Sequence, residues 1–485
     1  MTLGTLLLEV WPHVAAALAV VANLLASGHA VLRKRDVRAA VGWVGVVWLV
    51  PVVGVVLYLL LGINRIRRRA RSLALRGVHG QFPPPPPPVQ PVTPERLVTL
   101  LPEMEHLGSL ARLVGRVVKH KPLLPGNFVT PLESGVDAYP VMLEAIESAR
   151  TSLTLSSYIF DNDVAGRRFA LALGRAVSRG VQVRVLIDAM GARYAWPPIT
   201  GRLRRAGVRV ARFLPSMPPA RMAFMNLRNH RKLMVVDGRV GFTGGMNIRE
   251  DFLPGDDAHR DLHFRLEGPV VGQLQETFAE DWAFTTRERL QGETWFPHLA
   301  AQGPVVARGI PDGPDEDFET LRQTLLGALA CARHSVRIVT PYFLPDSALI
   351  TALNVAALRG VQVDILLPER SNLPVVQWAT DAQLWQVMQP GCCVFLSEPP
   401  FDHTKLMVVD GLWSLIGSAN WDPRSLRLNF EFDVECYDAE LAQRLEALIQ
   451  SRLLHARRLT LEELNGRKLP VRLRDGVARL LSPYL

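Results

Sequence analysis

One polar pattern, written twice, limits how this chain can fold more than any other feature. In "HRKLMVVDGRVGFTGGMN" (230–247), His230, Lys232, Asp237, Gly244 and Asn247 stand at the same spacing as His403, Lys405, Asp410, Gly417 and Asn420 in "HTKLMVVDGLWSLIGSAN" (403–420). Each copy reads locally as a β-hairpin, because apolar residues run into Asp-Gly and out again. The surroundings repeat too. "SLTLSSYIFDND" (152–163) and "RGVQVRVLID" (179–188) precede the first hairpin, as "SVRIVTPYFLPD" (335–346) and "RGVQVDILLP" (359–368) precede the second. Helix-like stretches such as "AGRRFALALGRAVSRG" and "SALITALNVAALRG" lie between them. This order predicts two tandem α/β sandwiches with substantially parallel sheets, at 126–300 and 301–455, followed by a C-terminal tail at 456–485.

Alternation along a strand places His230 and Lys232 on one face and Asp237 on the other. If Gly238-Arg239 is a two-residue turn, Asn247 lies directly across from His230, and Gly411-Leu412 does the same for Asn420 and His403. Each half then gathers an imidazole, an ammonium and a carboxamide, which makes an anion site containing a nucleophile. Asp237 and Asp410 complete the motif and enter the candidate catalytic set with it, although their position favours a role in the turn. The chain has only six lysines against 49 arginines, yet two of the six occupy the motif, which points to sites needing a compact ammonium.

A histidine that attacks phosphorus presents one neutral nitrogen while the other donates to an acceptor. Asp261 in "HRDLHFRLEGP" and Glu431 in "NFEFDVE" are the downstream carboxylates placed for that task. Ser418, where the first half has Gly245, offers a hydroxyl for one further phosphate hydrogen bond. No metal or cofactor is required, since each half supplies one histidine and its nearest motif carboxylate faces away. Cys331, Cys392, Cys393 and Cys436 lack C-x-x-C spacing and read as small buried hydrophobes in a reducing compartment.

Two apolar segments, Val14–Leu32 and Ala39–Gly62, predict a two-helix transmembrane hairpin within residues 1–72. The opening "MTLGTLLLEVW" lacks the basic start of a cleavable signal, so the spans read as retained anchors. Basic residues both between and after the spans give a slight preference for a cytoplasmic C-terminal part. Residues 73–125 read as a connecting segment whose "QFPPPPPPVQPVTP" (81–94) forms an extended spacer. Of the net charge of +9, residues 1–72 supply +7. The remainder is too nearly neutral for a nucleic-acid partner. The closing "LPVRLRDGVARLLSPYL" is amphipathic, and either lies against the membrane or packs on the core.

The doubled H-x-K-x4-D-x6-G-[GS]-x-N pattern is similar to that of the phospholipase D superfamily. With "SYIF", "TPYFLPD", "GSANWDPRSLRLNFE" and the N-terminal apolar hairpin, the chain resembles the bacterial cardiolipin synthases of that superfamily over about residues 33–485. The resemblance implies pseudo-twofold domains meeting at one site in a multi-pass enzyme of the cytoplasmic membrane, acting on phosphatidylglycerol. It further implies that His230 becomes a phosphohistidine and His403 handles the proton of the departing and arriving alcohols. Lys232, Lys405, Asn247 and Asn420 would hold phosphoryl oxygens, and Asp261 and Glu431 would orient the histidines. Hydrolysis by a phospholipase D, or transfer using another lipid, is the alternative outcome.

Overall fold

The computed structural model describes residues 3–34, 37–62, 89–118, 120–214, 227–255, 258–314 and 319–482. The basic run 65–71 and the prolines at 83–88 lie outside the described residues. Residues Met1–Ser72 belong to one compact unit, and Leu73–Pro215 with Leu227–Leu485 form a second.

In the first unit, Val10–Arg33 is the one helix among the described residues long and apolar enough to cross a membrane. The second expected span is helical over Val37–Leu49 and then breaks. Pro51 removes a backbone donor and Val52 adopts φ 70°, so the helix resumes only as Val53–Leu57 and a π-helical turn, Tyr58–Gly62. The hairpin is therefore continuous in its first helix only. Small residues, Ala26 and Ala30, let Val47 and Tyr58 pack closely against the first helix, and Trp48 Nε1 donates to Ser27 Oγ at 3.0 Å.

The second unit is built on one continuous mixed sheet. Its first half supplies β1 (Leu124–Glu133), β2 (Ser152–Ser157), β3 (Gln182–Asp188), β4 (Arg209–Phe213), β5 (Arg228–Asn229), β6 (Leu233–Val236), β7 (Val240–Gly244) and β8 (Leu262–Glu267). Its second half supplies β9 (Val305–Asp312), β10 (Ser335–Val339), β11 (Gln362–Pro368), β12 (Cys393–Ser397), β13 (Leu406–Val409), β14 (Trp413–Gly417), β15 (Asn429–Tyr437) and β16 (Ala456–Arg458). The order β16-β12-β11-β10-β13-β14-β15-β9-β1-β8-β7-β6-β2-β3-β4 reads almost the same from either end, with the pseudo-twofold between β9 and β1. Parallel pairing on this path is confined to β2-β3-β4 and β10-β11-β12, and the hairpins and central strands are antiparallel. The expectation of substantially parallel sheets thus holds only for the strand-helix-strand part of each repeat, where a crossover helix allows it.

Helices cover both faces of the sheet, which is why the inner strands read as nearly continuous apolar runs. On one face of the second half, the helices Thr320–Cys331 and Ser347–Leu358 pack on Val363, Ile365 and Leu367, while on the other Leu441, Leu445 and Ile449 pack near Leu366. Part of the expected connecting segment is built into that core: the helical pieces between Pro94 and Val117 bury Leu97, Leu107, Leu110 and Val114 there. The expected tail likewise begins inside the sheet, since Ala456–Arg458 pairs antiparallel with β12. All four cysteines are free, with Cys392 and Cys436 buried and Cys331 and Cys393 half-buried.

Candidate active site

The two hairpins close one residue earlier than a two-residue turn requires. Val236 faces Val240, leaving Asp237, Gly238 and Arg239 as the connection, and Val409 faces Trp413 in the second half. Asp237 and Gly238 adopt φ of 52° and 63°, matched by Asp410 and Gly411 at 55° and 62°. His230 and Asn247 are therefore not cross-strand partners as expected, because a one-residue shift reverses which side chains share a face.

The same turns correct the assignment of Asp237 and Asp410 to the catalytic set. Asp237 accepts from the backbone N–H groups of Arg150 (3.0 Å), Thr151 (2.7 Å) and Ser152 (3.0 Å). Asp410 accepts from those of Arg333, His334 and Ser335 (2.9, 2.7 and 2.8 Å) and lies 2.8 Å from His106 Nε2. Burial opposes their ionisation, but the backbone hydrogen bonds outweigh it and hold both carboxyls below their usual range. Their oxygens are committed to tying each turn to the start of β2 or β10, away from the histidines.

Each histidine is held by the opposite half. β5 pairs in parallel with β15, so the His230 N–H donates to Phe430 O at 2.9 Å, and a bridge between Arg260 and Asp402 lets the His403 N–H donate to Arg260 O at 2.7 Å. The side chains follow the backbone. His230 Nδ1 lies 3.0 Å from Glu431 Oε2, and His403 Nδ1 lies 2.8 Å from Asp261 Oδ2. Asp261 follows His230 in the chain and Glu431 follows His403, an order that associates each carboxylate with the histidine of its own half; the fold exchanges them across the pseudo-twofold.

Lys232 Nζ donates to His230 O at 2.7 Å, and Lys405 Nζ donates to His403 O, which leaves each ammonium two further hydrogens for an anion. Asn247 Oδ1 accepts from Ile159 N at 3.1 Å, directing its NH2 group elsewhere. Asn420 Nδ2 donates to Ser425 Oγ at 3.2 Å, and its buried Oδ1 has no hydrogen-bond partner among the described residues. Ser418 is not placed to bind phosphate: its hydroxyl donates to Glu431 Oε2 at 2.6 Å and accepts from Phe432 N at 3.1 Å. Gly245 shows why the first half lacks this hydroxyl, because a Cβ there would stand 2.3 Å from Asp261 Oδ1.

Burial, reinforced by the positive charge of Lys232 and Lys405 against the pull of Glu431, pushes His230 down to about 4. Burial and the same lysines also lower His403 well below its ordinary value. Both rings are neutral near pH 7 in this state. Their carboxylates differ. Burial pushes Asp261 up to about 7. Glu431 is also buried, but His230, Lys232 and Ser418 hold it below the usual range. Burial pushes Lys232 down to about 7, with the charge of Lys405 adding to it against the pull of Glu431, and burial pushes Lys405 down to about 8 against the pull of Asp261 and Glu431.

Sequence reasoning missed several neighbours. The Tyr158 ring lies 5.1 Å from His230 and under Lys232 Nζ at 5.7 Å, while Tyr342 and Phe401 lie 6.4 and 5.9 Å from His403. A usable signal existed, since "SSYIF" and "TPYFL" each place a tyrosine just past an equivalent strand. Two residues beyond the orienting carboxylates, His263 and Asp433 are also buried; burial pushes His263 down to about 3, leaving that ring neutral, and pushes Asp433 well above its ordinary value.

Two neutral imidazoles backed by crossed carboxylates and flanked by buried lysines supply the kinds of group that nucleophilic and acid-base chemistry at phosphorus needs. Comparison with known proteins specifies the family. The family described as cardiolipin synthase, PLD-like domain, matches residues 142–282 and 325–453. The major cardiolipin synthase ClsA of Bacillus subtilis (strain 168) is 32% identical over 461 residues, covering 93% of this chain and 95% of that protein. This chain belongs to the cardiolipin synthases of the phospholipase D superfamily. Cardiolipin synthase A of Pseudomonas entomophila (strain L48) is likewise 32% identical, over 96% of both chains. A phospholipase D-nuclease N-terminal family matches residues 21–62. The crystal structure of a phosphatidylserine synthase from Haemophilus influenzae Rd KW20 shares the fold, at a TM-score of 0.60 and 16% identity over 77% of this chain and all of that one. The chain is thus a membrane-associated phosphatidyltransferase of the cardiolipin synthase type, made of two repeats and acting on phospholipids.

Proposed function

We propose that the enzyme transfers the phosphatidyl group of one phosphatidylglycerol to the glycerol hydroxyl of another, releasing glycerol. The observation that carries the mechanism is the inequality of the two crossed pairs. His230 is backed by an ionised Glu431, so its Nδ1–H is held and Nε2 presents a lone pair. Nε2 attacks phosphorus, the bond to glycerol oxygen breaks, and the cationic phosphorylated ring is stabilised by Glu431. His403 and Asp261 together hold a proton near neutrality, because Asp261 is pushed up to about 7. That pair protonates the departing glycerol and then takes the proton of the incoming hydroxyl, whose oxygen displaces His230 from phosphorus. Lys232 and Lys405 offset the charge on the five-coordinate phosphorus, and Asn247 and Asn420 donate hydrogen bonds to its oxygens. The residues following the second apolar segment are assigned to the cytoplasmic side of a multi-pass anchor by the distribution of basic residues.

Purified protein given phosphatidylglycerol should yield cardiolipin and glycerol in equal amounts. Phosphatidate without cardiolipin would overturn the synthase reading. His230→Ala and His403→Ala should each abolish turnover in a folded protein, and full activity in either would remove the two-histidine mechanism.

A further inference from the structure

We propose that the C-terminal helix Leu469–Leu480 is a second membrane contact, laying the catalytic unit on an anionic lipid surface beside the His403 side of the site. One face of this helix is committed to the protein. Asp475 is buried and paired with Arg467 and Arg474, and Ala478 packs in a cluster with Leu344, Val376, Ala379, Tyr342 and Trp378. The opposite face is apolar and open, with Leu469, Leu473, Val477 and Leu480 exposed by 67, 61, 62 and 77% at spacings of four, four and three residues. Such spacing places them in one stripe.

The margins of the stripe are basic. Lys468, Arg472 and Arg479 are exposed along one edge, and Arg474 lies along the other, stacked on Trp378 at 4.3 Å. The only acid in the helix is the buried Asp475. An apolar stripe with basic margins suits an anionic bilayer, since the aliphatic stems follow the lipid while the charges meet headgroups. A soluble acidic partner would satisfy the margins but leave no reason for the apolar stripe.

The location also fits a lipid surface. Tyr342, in the cluster beneath the helix, stands 6.4 Å from His403 and bonds through its hydroxyl to Asn372 at 2.7 Å. Next to Asn372, Leu373 and Val375 are themselves exposed. On the His230 side, Tyr158 leads to Tyr194 at 6.3 Å, and the same loop carries Trp196, which is 93% exposed. Tryptophan and tyrosine favour the bilayer interface. Exposed apolar groups thus flank the site on both halves, so a lipid headgroup would enter without its chains leaving an apolar environment. The proposal rests on the lipid-using function of the family, while its test needs no turnover.

Full-length protein is reconstituted in vesicles of equal phosphatidylcholine and phosphatidylglycerol, with an environment-sensitive fluorophore on Leu473→Cys. A label on Leu171→Cys, exposed on another helix, is the comparison, and unsubstituted protein gives the background from Cys331 and Cys393. Nitroxide-bearing lipids should quench the label at 473 at least about threefold more than that at 171, and pure phosphatidylcholine should reduce the difference. Equal quenching at the two positions overturns the proposal. Disulfide cross-linking between 473 positions of two copies, without lipid quenching, also overturns it and assigns the stripe to self-association. Leu473→Glu with Val477→Glu should lower turnover in vesicles about tenfold more than in detergent micelles. Equal loss in both media would instead mark the stripe as structural. A chain that proved inactive on phosphatidylglycerol would still report its docking through the label.

Discussion

Replacing Glu431 by glutamine should slow formation of the phosphatidyl-enzyme, whereas replacing Asp261 by asparagine should slow proton delivery to the departing alcohol. The Glu431 carboxylate lies 3.0 Å from His230 Nδ1 in a fully buried setting. With an effective dielectric of about 20, a unit charge at that separation is worth at most about 6 kcal/mol to the cationic phosphohistidine. Glutamine keeps the size and one hydrogen bond, so a net loss of about 2–4 kcal/mol is expected, or roughly 30- to 1,000-fold in rate. The assay compares two donor lipids, phosphatidylglycerol and phosphatidyl-p-nitrophenol, in rapid single-turnover experiments that trap phosphate on the enzyme. A nitrophenolate needs no proton to depart. Asp261→Asn should therefore recover most of its trapping rate with that donor, and Glu431→Gln should not. The reverse result, recovery in Glu431→Gln alone, would refute both the crossed pairing and the roles assigned to the histidines.

Asp237→Ala and Asp410→Ala should each lose about 1–3 kcal/mol of stability, read as a fall in Tm, because three backbone N–H groups lose a charged acceptor. The folded fraction should keep its kcat. Both carboxyls have depressed pKa values in the fold, so their stabilisation is present above the unfolded value and lost as pH falls through the folded one; the gap between wild type and variant should close on acidification below about 4. Gly245→Ser should be far more damaging to kcat than Ser418→Gly, since the first drives a side chain into Asp261 and the second removes one hydrogen bond from Glu431, costing about 1.5–3 kcal/mol. Initial rates against pH should fall on the alkaline side as Lys232 (about 7) and Lys405 (about 8) lose their protons, and on the acid side as His230 (about 4) gains one. A rate rising steadily through pH 9 would exclude ammonium stabilisation of the transition state.

Legibility in the sequence followed the range of the interaction. Leu233–Val236 and Val240–Gly244 are strands because apolar alternation and Asp-Gly are local signals, and the doubling of the motif exposed the two halves. The register was not legible, because it depends on Asp237 taking φ 52° to receive the N–H groups of Arg150 to Ser152, which are distant in sequence. The break at Pro51 was visible as a residue, but its consequence for the second apolar helix was not. Ser418 looked like a phosphate ligand because composition shows a hydroxyl and says nothing of Glu431 2.6 Å away.

By itself the sequence determined the repeat, the apolar N-terminus and the kinds of group in the site, since these follow from residue identity and spacing along one chain. Only the tertiary structure decided which carboxylate serves which histidine. β5 adds to β15 and Arg260 bridges Asp402, so backbone hydrogen bonds across the pseudo-twofold carry His230 to Glu431 and His403 to Asp261 over separations of 201 and 142 residues. Such contacts are fixed by how two sheets join into one, and no local propensity encodes that.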